Sequence, residues 1–166
     1  MAILTYKSGQ MVPDQGAVPR ERSMRYTDDL YGWVEEQVAL LRAGSLDALD
    51  LSNIAEELSD VGAEQYNKLE GALELVLLHM LKWDHQPNRR SRSWALSIEE
   101  HRLRAEKQLR KNPSLMSRLD EAIEDGFRLA RLRAAREMRV PSKSLPMSCP
   151  YDWTAIMTRP FALDGD

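Results

Sequence analysis

Eight residues carry most of this chain's chemical potential. Seven lie together, His79, Trp83, Gln86, Arg89, Arg90, Arg92 and Trp94, and the eighth, Glu57, stands apart. Imidazole beside carboxylate can move a proton or, in a helical bundle, help hold a metal ion. Guanidinium forks beside indoles can grip phosphate and stack on nucleic-acid bases. Each pattern also has an architectural reading. Arginines that pair with Glu70, Glu99 or Glu100 and stack on Trp83 and Trp94 would lock a helical hairpin. A histidine facing Glu100 or His101 across that hairpin would be a hydrogen-bonded core residue.

The metal reading meets a geometric difficulty. Glu56, Glu57, Asp60 and Glu64 precede His79 on what reads as one helix. Twenty-two residues separate Glu57 from His79, roughly 33 Å at the α-helical rise. One shared ion would need a helix break near Gly62 or Gly71, or ligands from another helix. No metal and no cofactor is therefore expected. There is no glycine-rich phosphate loop, no His-Glu-x-x-His and no Gly-x-Ser-x-Gly, which lowers the case for an enzyme without closing it. Cys149 lacks a basic neighbour and reads as an inert thiol. As the single cysteine it excludes an internal disulfide and any all-cysteine metal site.

The elements that would position these residues follow from apolar spacing. Residues 1–25 hold Gly9, Pro13, Gly16 and Pro19 and no periodicity, the pattern of an extended or mobile arm. A helix starts at Thr27 or Asp28, buries Leu30, Trp33, Val34, Val38 and Leu41, and ends at Gly44. Asp50 caps a long helix whose seam runs Ile54, Leu58, Val61, Gln65, Leu69, Ala72, Val76, Met80, Trp83. Gly62 and Gly71 mark a kink or a close crossing, and Pro87 stops the run. Ser91 or Ser93 caps a third helix over Trp94, Ile98, Leu103, Ala105 and Leu109. Asn112-Pro113 opens a fourth, with Leu115, Leu119, Ala122, Ile123, Phe127, Ala130, Ala134 and Met138. Prolines 141, 146 and 150 make an irregular connection, and Asp152 caps a short last helix. The expected fold is all-α: an antiparallel bundle of about four main helices and a short C-terminal helix in one domain over 26–166, preceded by the irregular arm over 1–25.

The 166 residues, 43% hydrophobic and 30% charged, fit a water-soluble globular chain long enough for a real core. The longest strongly apolar run, Leu75 to Leu78, is far too short to span a bilayer. No secretory signal is apparent, and a cytoplasmic setting without membrane contact is expected. Charge is uneven. Residues 26–87 hold 3 basic and 13 acidic side chains, and residues 88–145 hold 15 and 8. Acidic and basic helices that pack together explain this division. A basic face for an anionic partner is the alternative.

Several stretches resemble the bacterial domain-of-unknown-function family 29 over about residues 26–155. They are Tyr26, Asp29 and Tyr31-x-Trp33; then Leu49-Asp50-Leu51-x-Asn53-Ile54-Ala55-Glu56-Glu57-Leu58-x-Asp60-x-Gly62; then Leu69-Glu70. The most specific is His79-x-Leu81-Lys82-Trp83-x-x-Gln86-Pro87-x-Arg89-Arg90-Ser91-x-Ser93-Trp94. Ile98, Glu100 and Arg102, Asn112-Pro113-Ser114-Leu115 and Cys149-Pro150-Tyr151 complete it. His101 departs from the family's frequent glutamine. The resemblance implies an all-helical fold and carries no catalytic residue. The leading expectation is a non-catalytic interaction or regulatory protein that binds a protein partner or self-associates. The alternatives are a nucleic-acid contact through Arg89–Trp94 and a metal-dependent bundle enzyme around His79 and Glu57.

Overall fold

A computed structural model describes residues 25–163, so residues 1–24 of the expected arm lie outside the description. The chain divides after Leu58 into two compact units. Among the described residues every regular element is helical. No helix among them is long and apolar enough to cross a membrane.

In the first unit, residues 25–28 are helical and Asp29 caps helix α1, Leu30–Arg42. The Asp29 Oδ1 accepts from the Gly32 N–H at 2.9 Å, satisfying one of the helix's orphan donors. The cap thus falls just past the expected Thr27 or Asp28. Gly44 closes α1 with φ of 71°, as expected of a glycine there. Its N–H donates to Leu41 O and the Ser45 N–H to Leu40 O, the paired bonds of a Schellman end. A short turn, Leu46–Ala48, leads to helix α2, Leu51–His85.

Helix α2 is unbroken over 35 residues. It runs on through both Gly62 and Gly71, and a Cβ at either would meet nothing within 4 Å. The close crossing lies elsewhere, at Gly126 on a later helix. A Cβ there would sit 3.1 Å from both Glu70 O and Glu74 N.

The second unit begins at Ser59 and adds helix α3, Arg92–Lys111, helix α4, Leu119–Met138, and the short helix α5, Trp153–Thr158. Ser91 caps α3 and Asp152 caps α5, each through its side chain. Tight turns at Pro87–Arg89 and Pro113–Arg118 reverse the chain. Bonds tie Gln65 to Gln108 near one end of the α2–α3 pair, and Lys82 lies over Trp94 near the other, so these helices are antiparallel. Tyr66 bonds Asp125 and Glu74 meets Arg133, each 59 residues apart, so α2 and α4 run parallel. This up-down-up bundle buries Leu69, Leu73, Val76, Leu77, Met80 and Leu81 of α2 completely. They close on Ile98 and Ala105, on Ala122, Phe127, Ala130 and Ala134, and on Ile156. Complete burial of a Leu or Phe contributes about 2–3 kcal/mol, which is why the seam, more than propensity, holds these helices.

The C-terminal segment is clasped to the bundle. The Arg102 guanidinium donates to Ile156 O at 2.6 Å, Arg159 O at 2.9 Å and Ala155 O at 3.3 Å, capping the carbonyl end of α5. Asp84 accepts from both terminal nitrogens of Arg159, at 2.9 and 2.6 Å, and from the Tyr151 hydroxyl at 2.8 Å. Burial opposes the Asp84 charge, but these bonds hold its carboxyl below the usual range. Phe161 then packs edge-on to Trp83 at 5.3 Å.

Candidate functional site

The eight candidate residues separate by unit. Glu57 belongs to the first, where its Oε1 accepts from the Tyr26 hydroxyl at 2.8 Å. The Tyr26 ring meets the edge of Trp33 at 4.9 Å. Trp33 Nε1 donates to the buried Asp50 at 3.3 Å, and Asn53 Nδ2 donates to the same oxygen at 2.7 Å. The Asp50 N–H in turn donates to the buried Gln37 Oε1 at 2.9 Å. A buried carboxylate needs such donors. The polar signature Tyr26, Trp33, Asp50, Asn53 and Glu57 is therefore a connected internal network, and it fixes the start of α2 against α1.

The other seven belong to the second unit. Trp83 is buried, and Arg90 both donates to its carbonyl at 3.0 Å and lies 5.3 Å from its ring. Lys82, also buried, sits 4.5 Å from the Trp94 ring. Both indoles that could stack on bases thus already meet cations of the protein. Arg89 and Arg92 are exposed, and their side chains bond no described residue. Of the expected partners, Glu100 has turned to Arg104 at 2.6 Å. Gln86 precedes the Pro87 turn without capping it through its side chain.

His79 packs beside Trp94, ring centroids 6.4 Å apart. It makes no bond to a glutamate. Among the described residues its buried Nδ1 has no hydrogen-bond partner. Burial, then the Lys82 charge, holds the imidazole down to about 4, so it is neutral near pH 7. His101 bonds its own helix, Nδ1 lying 2.7 Å from Ser97 O. Lys82 instead finds Glu137 at 2.7 Å, and Arg133 bridges Glu137 at 3.2 Å to Glu74 at 3.4 Å. Burial alone would raise Glu137; the bonds from Lys82 and Arg133 take it below its ordinary value. Among the described residues no three His, Cys, Asp or Glu side chains converge as metal ligands would. Cys149 is half-buried and its thiol is pushed up by burial.

Two surfaces without such internal closure were not singled out by motif. On α1, Leu30, Val34 and Leu41 fall within an arc of about 40° at 3.6 residues per turn. Leu51 and Leu58, seven residues apart on α2, share a second row. The contacts Trp33–Asp50 and Tyr26–Glu57 make the two helices antiparallel within the first unit. Helical geometry then puts both rows on the same side of the pair. All five are uncovered, from 37% exposure at Val34 to 67% at Leu58. The seam read as core from Ile54 to Trp83 is in fact core only from its middle onward.

The second surface is a groove of about 660 Å³ between α2 and α3 in the second unit. Lys68, Arg104, Lys107 and Lys111 line its walls, and Gly71, Ala72 and Leu75 its floor. Gln108, buried, donates to both Gln65 O and Gln65 Oε1 at one end.

The family described as Domain of unknown function DUF29 matches residues 25–162. No curated protein and no solved structure matches the chain.

Proposed function

The chain belongs to the DUF29 family, and from that premise we propose that it is a non-catalytic interaction protein. The observation that carries this reading is the uncovered apolar face of the first unit, formed by Leu30, Val34, Leu41, Leu51 and Leu58. An isolated exposed leucine needs no explanation; five on one side of a helix pair mark a surface that another chain covers. The neighbouring polar residues offer no free reactive group, because they bond one another through Asp50 and Tyr26.

Charge names the partner's chemistry. Over residues 25–58 there are 8 acidic and 2 basic side chains. Two copies meeting through this face would oppose carboxylate with carboxylate. A helix of another protein, apolar on one side and edged with Lys or Arg, answers both features. Its meeting place is the cytoplasm on this reading, a reducing compartment that suits a lone thiol.

The test is fluorescence anisotropy with a labelled amphipathic Leu/Lys peptide and a Ser/Lys control of equal charge that lacks the apolar side. The full chain should bind the first with a salt-sensitive component. The double variant Leu41→Ser, Leu58→Ser should lose that binding while keeping its helical circular dichroism. Unchanged binding in the double variant, or dimerisation through the same leucines, refutes the proposal.

A further inference from the structure

We infer that the α2–α3 groove of the second unit is a docking site for an acidic amphipathic helix of a partner protein. The inference is independent of the first unit's face. The walls set Lys68 on α2 opposite Arg104, Lys107 and Lys111 on α3. The α3 cations recur at i, i+3 and i+7, a row of roughly 10 Å along the helix. The apolar floor of Gly71, Ala72 and Leu75 runs about 6 Å alongside it.

Not all of this charge is internally answered. Lys68 pairs with Glu64 and Arg104 with Glu100, both on exposed surface where such pairs are weak. Lys107 and Lys111 form no ion pair with any described residue. Two lysines thus stand beside an apolar floor with no carboxylate to meet. Glu74 also reaches the groove, but it is held by Arg133.

Shape selects a helix over a small anion. Small-molecule sites enclose most of their ligand. This groove is an open trough along two antiparallel helices, with Arg133 of α4 at its edge, and it leaves an occupant partly uncovered. A third rod lying in such a trough completes the packing that the helices already use with α4. The floor permits close approach, since Gly71 has no side chain and a Cβ there would enter open space. The Gln108–Gln65 clamp holds the two walls at fixed spacing before anything binds.

The experiment uses the full chain and a labelled Leu/Glu amphipathic peptide of about four turns. Binding should weaken at least about tenfold in Lys107→Glu, Lys111→Glu, and should fall as salt rises. Gly71→Leu fills the floor without touching a charge and should abolish binding in a chain that melts no lower than wild type. The pair Leu41→Ser, Leu58→Ser should leave this peptide's binding unchanged, which separates the groove from the face proposed above. Three results would overturn the inference. One is peptide binding indifferent to Gly71→Leu. Another is a single-stranded oligonucleotide binding as tightly as the peptide and lost with the same lysines, which makes the groove a general polyanion site. The last is self-association of the chain that the lysine reversals abolish, which makes a second copy the occupant.

Discussion

Replacing glycine by alanine at positions 71 and 126 should have opposite effects. Both residues lie inside long helices, where alanine is favoured by about 1 kcal/mol. At Gly71 a new methyl meets nothing within 4 Å, so the gain stands unopposed. At Gly126 the methyl would sit 3.1 Å from two backbone atoms of α2 and 3.5 Å from the Leu73 Cβ. Backbone cannot swing aside as a side chain can, so the α2–α4 crossing must open by a few tenths of an ångström along its length. Overpacking of this kind costs about 1–3 kcal/mol, which offsets the propensity gain and exceeds it. Gly71→Ala should therefore stabilise by about 1 kcal/mol and raise Tm by about 2–4 °C. Gly126→Ala should destabilise by up to about 2 kcal/mol. Urea unfolding followed at 222 nm reads both, with unchanged m-values showing that the unfolding unit is the same. If the two substitutions shift stability alike, α2 and α4 do not cross at Gly126 and the packing described here is wrong.

Three further outcomes follow from particular groups. The His79 imidazole, held down to about 4, stays neutral in the folded chain while an unfolded chain takes up a proton near its ordinary value. Stability should thus fall as pH drops from about 6.5 towards 4, and His79→Leu should flatten that slope; NMR should find the ring neutral at pH 5. Arg139 closes α4 with φ of 58°, a conformation that glycine adopts freely, so Arg139→Gly should raise stability by about 1 kcal/mol in the same urea assay. Asp84→Ala strands the Tyr151 hydroxyl and the Arg159 guanidinium together, at about 2 kcal/mol, and amide exchange should quicken first in α5.

The fold was largely legible because helices announce themselves locally. Asp29, Gly44, Ser91, Asn112 and Asp152 punctuate the chain through bonds made within four residues of themselves, and apolar spacing between them needs no knowledge of the partner helix. What spacing cannot carry is which stretch of a seam meets another helix. Leu58 and Leu69 read alike, yet one is 67% exposed and the other fully buried. Gly126 was passed over for the same reason: a close crossing depends on residues 52 to 56 positions away, while Gly62 and Gly71 attract notice only by their place in a long run. The polar candidates fared as their chemistry required. Arg90 does stack on Trp83, but Glu100 prefers Arg104 one turn along its own helix, a local pairing that hairpin geometry could not reveal. Arg102, Tyr151 and Arg159 gave little warning of the clasp, because it joins residues up to 75 apart. The signal available was the pairing of Arg102 with Cys149-Pro150-Tyr151 in the family pattern.

That clasp also sets an order of events during synthesis. The α2–α3 hairpin joins His79 to Trp94 across only a short turn, so its loop closes early and at little entropic cost. The α4 contacts close over longer spans, 59 residues each. Asp84 and Trp83 meet Tyr151 and Arg90 first, and complete their contacts only when residues 159 and 161 exist. A chain halted short of Arg159 would carry a nearly complete bundle in which, at the His85 end of α2, Asp84 lacks its guanidinium partner and Trp83 its Phe161 contact. The arrival of Arg159 and Phe161 is therefore recorded at that end of the bundle, where anything that surveys nascent chains could read it.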